Sequence, residues 1–113
     1  MDIKDFRREL HRRAELSFEE HATAAFIAEC LSEAGIEFRP IASTGLLARI
    51  EGRRGNAKRC VVLRADIDAL PIAELTGVEW ASRSEGVMHA CGHDCHAAVL
   101  YGVLKRLQAD PDF

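Results

Sequence analysis

Cys60-Val61-Val62-Leu63-Arg64-Ala65-Asp66-Ile67-Asp68-Ala69-Leu70-Pro71 is the stretch on which the fold turns. Its first four residues are continuously apolar, the pattern of a strand covered on both faces. The second half alternates: Leu63, Ala65 and Ile67 point one way, Arg64, Asp66 and Asp68 the other. Pro71 has no N–H to give to a ladder and ends the run. A strand is therefore expected over 60–68, with two carboxylates at its C-terminal end.

On the N-terminal side the pattern is first helical. Asp2 and Asp5 mark a helix start, and Ile3, Phe6 and Leu10 recur at helical spacing. Ser17 and Glu20 form an S-x-x-E capping box, in which Ser17 accepts a backbone N–H and Glu20 reaches back. Ala22, Ala25, Phe26 and Leu31 give the next helix its apolar side, and Gly35 is placed to end it. Two short strands follow, Ile36 to Arg39 and Leu46 to Glu51, joined by a turn at Thr44-Gly45. Residues 52–56 read as an exposed turn. On the C-terminal side, Leu75 to Met88 is loop-like. From His96 the residues Ala97, Leu100, Val103, Leu104 and Leu107 predict a helix running almost to Phe113. The order helix, helix, three strands, loop, helix is that of an α/β fold, with a sheet of at least three strands flanked by helices.

The 113 residues make one domain's worth of chain. Hydrophobic residues at 48% and charged residues at 29% exclude wholesale disorder. The net charge of -3 gives no electrostatic reason to expect nucleic acid. No apolar run approaches the ~18 residues of a membrane span. No secretory signal is visible at the start, and cysteines are sparse, so a cytoplasmic setting with thiols free or metal-bound is expected.

Three of the five histidines share one window with two of the four cysteines: His89-Ala90-Cys91-Gly92-His93-Asp94-Cys95-His96. Imidazole and thiolate are the usual ligands of zinc and related metals. Cys91 and His93 can converge on one ion from a tight turn, which Gly92 would ease. His89 and His93 would share a helix face, but Gly92 argues against a helix already running there. The spacing alone leaves three readings open: metal binding, thiol chemistry at Cys91 or Cys95, and a packed histidine loop. Asp66 and Asp68 divide similarly. Arg64 can simply pair with Asp66, whereas Asp68 can orient a metal-bound histidine from outside the coordination sphere.

Two runs, Leu63 to Ile72 and Gly86 to His96, together resemble the M20 metallopeptidase family, closest to the amidohydrolases that cleave N-acyl amino acids, hippurate and auxin conjugates. Arg8-Glu9-Leu10-His11, Glu15 to Glu20 and Ser43-Thr44-Gly45 resemble other parts of that branch. The resemblance implies the N-terminal part of a zinc-peptidase-like catalytic domain over residues 1–113. It implies amide hydrolysis with two divalent ions, manganese, zinc or nickel, and a small N-acyl amino acid as substrate. Neither nucleic acid nor membrane is expected as a partner, and the intact enzyme is expected to be a homo-oligomer. Cys91 and His93 fall on the metal ligands and Asp68 on the supporting aspartate. Asp66, Asp94 and His96 are the further candidates for residues that would support the site from outside the coordination sphere.

The sequence departs from the pattern in places. Arg13-Ala14 stands where the branch has His-Pro, and Cys95 where it has a small residue, which adds a thiol beside the site. The family's general-base glutamate, its further ligands and its lid domain have no counterpart before Phe113. The chain alone is therefore expected to be inactive, and marginal or associating, since its doubly buried strand needs cover. The alternatives are a short, non-catalytic metal-binding module and a thiol-redox protein using Cys91 or Cys95.

Overall fold

A computed structural model describes residues 1–55 and 58–113. Helix α1 spans Ile3–Arg12. Its cap is Asp2, whose side chain accepts from the Asp5 amide at 2.7 Å. Phe6 and Leu10 are buried against helix α3, His93–Ala109. The Phe6 ring stacks on Tyr101 with centroids 4.1 Å apart, and Phe26 of helix α2 (His21–Glu33) leans on it at 5.4 Å. Cys30, Leu31, Ile36, Ala97 and Ala98 complete this core.

Helix α2 ends as its glycine predicts. Gly35 sits at φ 67°, its N–H reaches the Ser32 carbonyl, and the Ile36 N–H reaches Leu31, which is a Schellman ending. The start differs from the expected capping box. Glu20 has turned away to accept from the buried Thr44 hydroxyl at 2.6 Å, and Ser17 lies outside the helix. Glu15 caps instead, accepting from the Ala22 and Thr23 amides at 3.1 and 2.6 Å. A longer side chain two residues earlier reaches the same free N–H groups and leaves Ser17 available elsewhere. The buried face is also rotated from the expected one: Thr23, Phe26, Cys30 and Leu31 are inside, and Ala22 and Ala25 are exposed.

Strands β1 (Glu37–Ile41) and β2 (Gly45–Arg49) form an antiparallel hairpin with Phe38 opposite Ala48. The α/β class holds, but among the described residues this two-stranded sheet is the whole sheet, not the three or more strands expected. The 60–68 run is unpaired. Val61 and Val62 are 83% and 77% exposed. An apolar pattern states that a strand wants cover on both faces, whereas the ladder needs a neighbour's backbone, and no described segment lies alongside. Of the 52–56 turn, residues 52–55 are exposed as expected, and Asn56 lies outside the described residues. No helix among the described residues is long and apolar enough to cross a membrane.

Candidate metal centre

The end of the 60–70 segment is stitched on both sides, and that places the site. Leu16 and Ala69 form a parallel bridge, with the Ala69 amide on the Glu15 carbonyl at 2.7 Å. Leu70 and Met88 exchange both backbone hydrogen bonds at 3.0 Å. Residues 15–17, 68–70 and 88 thus run side by side, and the chain leaves Met88 directly into the His89–His96 window.

Gly92 turns that window. It caps α3 at φ 96°, in the left-handed region where a side chain is strained. The helix therefore begins at His93, three residues earlier than the apolar spacing predicts, and His89 lies outside it. Cys91 is exposed on the approach to the turn, and Cys95 and His96 are exposed in the first turn of α3.

His93 Nδ1 lies 2.8 Å from Asp68 Oδ1 and 3.0 Å from the Asp68 carbonyl oxygen. Both are acceptors, so Nδ1 carries the proton and donates, and the Nε2 lone pair is left free. The other carboxylate oxygen, Oδ2, accepts from the Ser17 hydroxyl at 2.6 Å. These two donors, Ser17 first and His93 after it, outweigh partial burial and hold the Asp68 carboxyl below its ordinary value of 3.8. The His96 ring lies 6.1 Å from His93. Asp66 pairs with Arg64 at 2.6 Å on the surface.

Asp94 faces the opposite way. It is buried, with Oδ2 at 2.7 Å from His11 Nδ1 and 2.8 Å from Arg7 Nε, while Oδ1 accepts from the Cys95 amide. His11 Nε2 reaches Glu74 at 3.0 Å. His89 is buried beside this network, its ring 6.0 Å from His11, and neither nitrogen has a hydrogen-bond partner among the described residues. Burial lowers its pKa from the ordinary 6.5. Sequence reading gave no role to Arg7, His11 or Glu74. The detectable sign was a polar pair, Arg7 and His11, at the same i,i+4 spacing as the apolar Phe6 and Leu10 next to it.

The structure thus brings Asp68 to His93, with Cys91 two residues before it and His96 nearby, and it turns Asp66 and Asp94 to other partners. A free thiol and an imidazole with its outer nitrogen available suit a borderline transition metal. Among the described residues no group of three His, Cys, Asp or Glu side chains is arranged to hold an ion.

Residues 62–112 match the sequence model of peptidase family M20/M25/M40. The N-acetyl-L-cysteine deacetylase of Bacillus subtilis is 51% identical over 107 residues, 94% of this chain and 25% of the relative. The N-acyl-L-amino acid amidohydrolase of Geobacillus stearothermophilus is 47% identical over 105 residues, 92% of this chain and 28% of the relative. The crystal structure of the Bacillus subtilis YXEP protein, described as a dinuclear metal binding peptidase from the M20 family, has a TM-score of 0.87 at 42% identity. It covers 94% of this chain and 30% of its own. By name the two relatives are a deacetylase and an amidohydrolase. The family match, both relatives and the solved structure all place this chain's likeness with the M20 peptidases. The chain spans between 25% and 30% of the length of these three proteins.

Proposed function

We propose that this chain forms the N-terminal part of the catalytic domain of a metal-dependent amidohydrolase that releases amino acids from N-acyl amino acids. The observation that carries the reading is the Asp68–His93 contact, one glycine away from the free Cys91 thiol. Cys91 through Sγ and His93 through Nε2 would hold the metal. Two divalent cations, manganese, zinc or nickel, would polarise the amide carbonyl and lower the pKa of a shared water. Asp68 keeps the imidazole in one tautomer and one orientation, which raises its basicity as a ligand. Gly92 lets the two donors project from a turn that a side chain would strain.

The general-base glutamate and the remaining ligands that the family implies lie outside these 113 residues. By itself the chain is therefore inactive, and the rest of the enzyme covers the exposed 60–63 run. The same reading assigns a small-molecule substrate, a homo-oligomeric intact enzyme and a cytoplasmic setting.

The test is the intact protein, assayed for bound metal by elemental analysis and for release of amino acid from N-acetyl amino acids. Cys91→Ala and His93→Ala should each lower metal content and reduce kcat/KM by more than the ~10–100-fold typical of losing an outer-shell partner. Full activity after exhaustive chelation would overturn the reading. Retained metal without hydrolysis would leave a metal-binding module in its place.

A further inference from the structure

Ser17 was expected to cap a helix and does not. Its hydroxyl crosses 51 positions of sequence to donate to Asp68 Oδ2 at 2.6 Å. That contact is built by the backbone. The Leu16–Ala69 bridge and the Ala69 amide on the Glu15 carbonyl hold the two segments in register, so the residues just beyond them face each other. Glu15 takes over the cap of α2, which removes the local N–H groups that would otherwise compete for Ser17.

The consequence lies at Asp68. A carboxylate has two oxygens, and a single donor on one of them leaves the group free to rotate about its last torsion, which is broad and roughly two-fold. Here both are engaged: Oδ1 by His93 and Oδ2 by Ser17. We infer that Ser17 is a positioning residue, fixing the Asp68 carboxylate so that it holds the His93 ring with Nε2 directed outward. The inference rests on His93 being a metal ligand, the reading proposed above. Ser17 touches neither substrate nor metal. Its effect passes through Asp68, and because Ser17 is exposed, water can partly replace its hydroxyl.

The experiment measures zinc affinity of the intact protein by competition with a chromophoric chelator, alongside kcat/KM and thermal melting. Ser17→Ala should weaken zinc binding about tenfold, the lower end of the range for outer-shell partners. Ser17→Thr, which keeps the hydroxyl, should bind as the wild type does. Ser32→Ala removes another exposed serine hydroxyl, one bonded to the Ala28 carbonyl within α2, and should leave zinc affinity unchanged. A merely structural role for Ser17 would lower the melting temperature and leave zinc affinity alone, and that result overturns the inference. Cys91→Ala and His93→Ala are measured beside it. If those two bind zinc like the wild type, the metal reading itself fails. If they lose zinc while Ser17→Ala does not, only the role of Ser17 fails.

Discussion

Glu74 shows how much one carboxylate can carry in this molecule. Its burial opposes ionisation, but the Ser82 amide, the Thr76 hydroxyl and the His11 ring all hydrogen-bond it, and together they bring its pKa from 4.5 down to about 2. A carboxyl whose pKa is depressed by folding contributes stability above its unfolded value, and that contribution fades as pH falls toward the folded one. The window here runs from about 4.5 down to about 2. Urea unfolding of the intact protein should therefore show stability falling through this window, with a flatter profile for Glu74→Gln. An unchanged profile in the variant would show that other carboxylates account for the acid sensitivity. Legibility at this scale was uneven. Cys91, His93 and Asp68 were singled out by the family resemblance of the motifs that hold them, whereas their spacing alone left several readings open. Ser17, His11 and Glu74 were not, because each partners a residue at least 51 positions away, and local pattern does not identify so distant a partner.

Among the elements, helices were read most faithfully, because their caps and periodicity are local. The Asp2 cap and the Gly35 ending stand as the residues predict. The start of α2 shows where local reading fails. S-x-x-E satisfies the capping-box pattern, yet Thr44 claims Glu20 and Asp68 claims Ser17, so tertiary partners outcompete the local ones. Glu15 supplies the cap and also accepts from the buried Thr23 hydroxyl at 2.6 Å. Glu15→Ala should then destabilise the protein by about 1–2 kcal/mol, the usual loss for a helix cap. Ser17→Ala should cost the helix itself nothing. Circular dichroism melts of the two variants compare them directly, and equal losses would restore Ser17 as the cap. The 60–68 strand failed for a different reason. Its apolar run reports the surroundings it prefers, and pairing depends on a neighbour that local pattern does not supply.

The shape of the whole molecule gives that missing neighbour a physical cost. A chain of this mass, folded compactly, exposes about 6,200 Å², and this one exposes 7603 Å². Its radius of gyration is 15.1 Å, against about 13 Å for a compact domain of its length. Part of the excess is concentrated: Val61, Val62 and Leu63, at 83%, 77% and 54% exposure, lie in sequence on one unpaired extended segment. Unpaired backbone beside exposed β-branched side chains is a template for another strand. Burying two valines offers roughly 3 kcal/mol or more at each contact, enough to favour association at modest concentration. The 113-residue chain, produced alone, should therefore self-associate in multi-angle light scattering. Val61→Lys with Val62→Lys should return it toward 12.5 kDa, because lysine on an open edge blocks pairing while leaving the Phe6–Tyr101 core untouched. A wild-type chain that runs as a clean monomer with a sharp cooperative melt would show that the core of α1, α2 and α3 suffices without cover for the 60–63 run.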